Sequence, residues 1–362
     1  MLKLKLKERQ KEPKKIKLGF YPYTYVRTVV MKTLLFKKED YGKMIKMGFS
    51  EIAKLLQDSN YKNEIDSLAT EYSGADLLER ALIRSLAASF KKLMRISSYE
   101  IGLVVREYAM RKDIEDIKTI IRGKFTNADE KAIMGSITAA GSLSREFLAF
   151  LLKKESIEEI LKGAGIVDFS LLKGGLKELS EKNSLAGIEN AMDKYYYGHL
   201  IKFSKILPRQ GRLFREFLLK EVEVSNILTL LRLKKAGMDK DTVKGFIIPC
   251  GDKADDSKIM ALAGLDDFEK ILKELEKTEY NSVVLKGIKE FRNSSSLIAL
   301  EAGLLRHLLA KSSLFMHQHP LSVDTILGYM FAKDMEVRNL RIIIKGKQLG
   351  LSEEFIEGQL VY

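Results

Sequence analysis

The chain has no tryptophan, one cysteine, five prolines and four histidines in 362 residues, and each scarcity removes a class of protein. A lone cysteine, Cys250, has no intramolecular disulfide partner, which fits a reducing compartment and excludes a disulfide-stapled fold. Proline stands only at positions 13, 22, 208, 249 and 320, so 23–207 contains none, a density that disfavours turn-rich β architectures. Long apolar runs are missing too. The longest uncharged stretches, 132–144 and 312–323, fall far short of the roughly 18–20 apolar residues a bilayer crossing needs, so any membrane role is expected to be peripheral. The opening MLKLKLKERQKEPKK lacks the apolar core of a secretory signal.

Signatures of catalysis are equally scarce. A P-loop needs glycines that let backbone N–H groups reach phosphate, then Lys and a Mg²⁺-binding hydroxyl; RGKFT at 122–126 lacks the upstream glycine and separates Lys124 from Thr126. The pair His317 and His319 has no acidic or thiol ligand close by and reads as a polar loop rather than a metal site. Cys250, within IIPCGD, has no neighbouring Lys or His to make a thiolate and reads as a small packing residue. KGG at 173–175 reads as a helix break. The tyrosines 195–197, with only Lys194 near, read as partly buried aromatics rather than a base-stacking platform. No cofactor is expected.

What the chain does have is charge and periodicity. Its net charge is +13, but residues 1–20 alone carry +6, so the excess is concentrated in a basic leader. A nucleic-acid binder needs a basic face on a folded domain, whereas a basic leader suits any phosphate-rich surface, lipid headgroups included. Hydrophobic residues make up 46%, an ordinary globular share, so the body of the chain folds. Apolar positions recur at three and four, as in Leu77, Leu78, Ala81, Leu82 and Leu86, which predicts an all-α protein.

Three segments align without gaps: DIEDIKTIIRGK (113–124), EVSNILTLLRLK (223–234) and EVRNLRIIIKGK (336–347), their anchors 110 and 113 residues apart. The register continues into a reversal. Asn127, Gly237 and Gly350 suit a left-handed helix end, and Asp129, Asp239 and Ser352 suit the N-cap of a following helix. A second motif lies upstream of each copy and ends at an aromatic, Tyr61, Phe169 or Tyr280, at distances of 56, 58 and 60 residues from the downstream anchor. Two motifs in one order at one spacing, three times over, predict a triplicated helical unit of about 110 residues. The linear division is a leader at 1–18 and helical domains at 19–130, 131–247 and 248–362.

In each motif an apolar stripe, for example Val337, Leu340 and Ile344, marks the buried face. Asp116, Asn226 and Asn339 sit beside it. Such residues are poor in helix interiors, so their recurrence predicts a hydrogen bond to a neighbouring turn. The acid and base of each motif, Asp113 with Arg122, Glu223 with Arg232 and Glu336 with Lys345, are nine residues apart, half a revolution, so no pair closes along its own helix. Those nine residues are the candidate packing or interaction positions, with no catalytic or metal site expected.

The block LGYMFAKDMEVRNLRIIIKGKQLGL (327–351), with EVEVSNILTLLRLKKAG, DIEDIKTIIRGKF, YPYTYVRTVVMKTLL and IAKLLQDSNY, resembles the C-subunit family of A/V-type rotary ATPases (A-type ATP synthases and V-type ATPases), whose eukaryotic counterpart is the d subunit of V-ATPases. The resemblance implies three helical domains arranged as a funnel about a pseudo-threefold axis. It implies a non-catalytic central-stalk socket, one that joins the shaft to the membrane rotor ring of proteolipids during proton or sodium transport. It also implies a peripheral position on the cytoplasmic side of the membrane. A generic helical-repeat scaffold and an RNA-binding protein are the competing readings.

Overall fold

The computed structural model describes residues 18–251, 253–294, 296–318 and 321–362, and among them every regular element is helical. Most of the basic leader lies outside the described residues, as do His319 and the side chain of His317. No described helix is long and apolar enough to cross a membrane. The chain forms two compact units, one built on Leu86–Arg212 and the other assembled from Phe20–Ser85 and Leu213–Tyr362.

In the first unit the helix Tyr99–Phe125 is the central element. Ile114, Ile117 and Ile121 on one side, and Val104, Val105 and Tyr108 a few turns earlier, are buried, and so are the charged Lys112, Asp113, Asp116 and Lys118, so neighbours enclose this helix on most sides. Glu130–Ser136, Arg145–Leu152, Ile157–Ala164 and Ala186–Ile206 pack around it. Phe169–Lys182 in turn packs along Ala186–Ile206. The KGG at 173–175, expected to break a helix, lies inside Phe169–Lys182. A Cβ at Gly175 would strike the backbone of Ile188, so this glycine lets two helices touch. Tyr196 and Tyr197 are buried edge to face, with the Tyr196 hydroxyl donating to the Tyr108 carbonyl at 3.1 Å.

The second unit holds two more sets of the same element order. One runs continuously: the long helix Arg212–Lys235, then Lys240–Phe246, Lys253–Ala263, Phe268–Leu275, Asn281–Ser294 and Ile298–Gln318. The other is spliced from the two ends of the described chain. Val323–Gln348 and Glu353–Gln359 supply its long helix and the short one after it. Lys38–Lys46 then packs on Glu353–Gln359, and Phe49–Gln57 packs on Val323–Gln348. Tyr41 stacks on Tyr362 with ring centres 5.8 Å apart. An additional helix, Pro22–Thr33, lies along Val323–Gln348.

The upstream aromatic motif of each copy therefore meets the long helix of the copy before it, in cyclic order. Tyr61 reaches Glu336, and Glu279, beside Tyr280, reaches Lys220. Ile157–Ala164, which leads to Phe169, packs on Tyr99–Phe125. A linear cut at 130/131 falls within the helix Glu130–Ser136.

Candidate functional site: the repeated helix and its polar anchors

Each long helix ends in the same reversal. Asn127, Gly237 and Gly350 have φ of 52°, 75° and 66°. The N–H after each donates to a carbonyl five residues back, from Ala128 to Gly123, Met238 to Leu233 and Leu351 to Gly346, at 2.9, 3.0 and 2.9 Å. These are Schellman closures, and only glycine or a small polar residue adopts the left-handed backbone cheaply. Asp129, Asp239 and Ser352 then cap the next helix by accepting its free N–H groups. Gly123, which sat in the weak P-loop resemblance, is a packing residue: a Cβ there would strike Ile133, and one at Gly346 would strike Ile356.

Asp116, Asn226 and Asn339 are all buried, and each reaches the non-helical segment 22 residues ahead. Asn226 accepts from the Ile248 N–H at 2.8 Å and donates to the Ile248 carbonyl at 2.8 Å. Asn339 does the same with Val361, at 2.8 and 2.6 Å. Asp116 instead accepts two successive N–H groups, Thr138 at 2.7 Å and Ala139 at 2.8 Å. The reason lies in the backbone. Ala139 has φ of 49°, which turns adjacent N–H groups to one side and makes a small anion cradle; where the segment stays extended, one residue offers both N–H and C=O, which an amide satisfies. Burial pushes the Asp116 carboxyl up to about 6, the N–H donors pulling against it and neighbouring Asp113 adding to the rise.

The acid column points three ways. Asp113 accepts from the Ser142 N–H, the Ser142 hydroxyl and the Leu143 N–H at 3.0, 2.7 and 2.8 Å. Glu336 accepts from the Tyr61 hydroxyl at 2.5 Å, the Phe36 N–H at 2.6 Å and Lys333 Nζ at 2.7 Å. Lys333, fully buried, also donates to the Tyr61 oxygen at 2.8 Å and sits 4.2 Å above its ring. Burial, reinforced by the Glu336 carboxylate, holds the Tyr61 phenol far above its ordinary range. Glu223 pairs with Lys220 at 2.7 Å, and Lys220 reaches Glu279 at 2.5 Å. Burial raises Tyr280 beside them, with Glu223 and Glu279 adding to it. Against its own burial, Lys220 and Lys311 hold Glu279 down to about 2.

Lys333 and Lys220 are the residues that the motif reading missed. The signal was present: they align with Met110 one turn before the acid. The copies with Lys have Tyr as their aromatic, and the copy with Met has Phe169, so the lysine and the phenol occur together or not at all.

The base column faces the other way. Arg122 makes a bidentate pair with Glu189 at 2.6 and 2.7 Å, and Arg232 makes one with Glu301 at 2.7 and 2.7 Å. Lys345 meets Glu79 at 3.2 Å. Each acid lies in the first turns of a returning helix, Ala186–Ile206, Ile298–Gln318 or Gly74–Ile96. These pairs are substantially exposed, so each contributes only about 0.2–1 kcal/mol.

A cavity of about 440 Å³ opens in the middle copy, lined by Lys220, Glu223, Asn226, Cys250, Ile259 and Leu275, among others. Cys250 is buried, and its N–H donates to Asp256 at 2.6 Å. Among the described residues no group of three His, Cys, Asp or Glu side chains is arranged to hold a metal.

Comparison with known proteins bears on the whole chain. The family model for the ATP synthase (C/AC39) subunit matches residues 25–359. The C subunit of the A-type ATP synthase of Methanosarcina acetivorans is 37% identical over 357 residues, covering 98% of this chain and 96% of that protein. That of Methanococcoides burtonii is 39% identical over 342 residues, covering 94% of each. That of Halobacterium salinarum is 31% identical over 345 residues, covering 94% of this chain and 97% of its own length. The chain therefore belongs to the ATP synthase (C/AC39) subunit family.

Proposed function

We propose that this chain is a non-catalytic subunit of the central stalk of an A-type ATP synthase, acting as the socket between the shaft subunits and the membrane rotor ring. In this reading it is bound peripherally on the cytoplasmic side of the membrane. ATP turnover and ion binding belong to other subunits. Family membership over nearly the full chain carries the reading, and the threefold repetition of one helical module supports it. Modules that repeat can close around an axis, and a body of packed helices resists twisting, as a torque-bearing coupling must. In this reading Asp113, Asp116, Glu223, Asn226, Glu336 and Asn339 set the internal geometry of the modules. Arg122, Arg232 and Lys345, more exposed, tie each long helix to its returning partner.

The test is co-purification. A tagged chain expressed among its own complex should bring shaft and ring subunits with it in fixed ratio, and recovery of the chain alone from membrane extracts would overturn the proposal.

A further inference from the structure

The helix Pro22–Thr33 is amphipathic in reverse. Its inward face buries Thr24, Thr28 and Met31, with the Thr28 hydroxyl satisfied by the Thr24 carbonyl at 2.7 Å. Its outward face carries Tyr23, Val26 and Val30, which recur at three and four and lie 64, 55 and 55% exposed. Phe20 before the helix and Leu34 after it are 81 and 53% exposed. A helix that served only this fold would turn these residues inward and the threonines outward.

The charge along the stripe is mainly positive. From position 18 to position 38 the chain has four Lys or Arg and no Asp or Glu, with Glu39 and Asp40 next in sequence. Arg27 lies exposed on the stripe itself, and Lys37 and Lys38 are exposed just past its end. An apolar row that itself carries a cation and no acid fits a surface that is apolar and anionic within a few ångströms of depth. A bilayer with anionic headgroups is such a surface: the side chains enter the headgroup boundary while the long cationic side chains reach back to phosphate.

We propose that residues 20–34 dock on an anionic lipid surface, with Tyr23, Val26 and Val30 inserted at the headgroup boundary and Arg27, Lys37 and Lys38 paired with headgroup phosphates. This deepens the peripheral position proposed above and rests on it only for cellular context.

The test is flotation of the full-length chain with vesicles of phosphatidylcholine alone or with about a third phosphatidylglycerol. We expect partitioning onto the anionic vesicles and little onto the neutral ones. The double substitution Val26→Ser and Val30→Ser removes apolar contact and leaves every charge, the leader's included, in place. It should lower partitioning by about tenfold. Leu171→Ser, a similar change at an exposed leucine elsewhere, should leave partitioning unaltered. Circular dichroism melts establish that all three proteins are folded. Failure of the wild-type chain to float with anionic vesicles, or equal flotation of the double variant, overturns the proposal. If the double variant floats normally but no longer co-purifies with ATP synthase subunits, the stripe is a protein-docking face and the lipid proposal is wrong while the stalk assignment stands. If the chain floats as expected but recovers no partners from membranes, the stalk assignment fails and the lipid surface remains.

Discussion

At the scale of single residues, the polar anchors divide by what they would leave behind. Removing the amide of Asn339 strands the N–H and C=O of Val361 in a buried site, so Asn339→Leu should cost about 1–3 kcal/mol in urea or thermal unfolding. Lys333→Met strands a buried carboxylate and should cost about 3–5 kcal/mol. Adding Tyr61→Phe, as in the copy with Met110 and Phe169, together with Glu336→Gln, which removes the stranded charge, should return more than half of that loss. Asp116 adds a pH dependence. Its native carboxyl holds a proton up to about 6, whereas the unfolded chain releases it near 3.8. Protonation therefore stabilises the fold fully below about pH 4, and this contribution is lost as pH rises through about 6, on the order of 2–3 kcal/mol in all. Comparing wild type with Asp116→Asn, the difference in stability should change between pH 4 and pH 7 in that sense, and a flat difference would contradict it.

At the scale of elements, the helix reversals were legible because their chemistry is local. A left-handed residue followed two places later by a capping side chain needs no knowledge of the tertiary fold. Helix-to-helix approach is different. Nothing in the local sequence gives Gly123 and Gly346 a purpose until Ile133 and Ile356 are seen to occupy the space, and the glycines at 174–175 read as a helix break because the approach of Ile188 is equally non-local. Gly346→Ala should cost about 1–3 kcal/mol through overpacking, and Ile356→Val in the same chain should recover part of it. The middle copy carries the corresponding exchange, with Leu233 in the column of the two glycines and the smaller Val243 in the column of the two isoleucines. Lys333 escaped notice for a related reason. A column reading Met, Lys, Lys carries no obvious meaning until the aromatic it serves is known, and that aromatic comes from a segment 272 residues away.

At the scale of the whole molecule, the period of the repeat was plain, but its phase was not. Counting along a chain gives the same period wherever the count begins, so the sequence could not say whether an aromatic motif belongs to the long helix after it or the one before. The packing of Tyr61 on Lys333 and Glu336 decides for the earlier copy in cyclic order, which joins the first and last segments into one module. Deletion of Val361 and Tyr362 should therefore loosen helices Lys38–Lys46 and Phe49–Gln57, read as faster amide exchange there, while Tyr99–Phe125 keeps its protection.

The splice of the two ends has a consequence for how the chain is made. The module of Tyr99–Phe125 and that of Arg212–Lys235 can each close soon after the ribosome releases them, because all their parts are contiguous. The segment Phe20–Ser85 is made well before its partner helix, which begins at Val323. At roughly 5–20 residues per second, its apolar faces wait about ten to fifty seconds for cover. That interval makes Phe20–Ser85 late to find its place relative to when it is made, and a segment for chaperones to shield during synthesis.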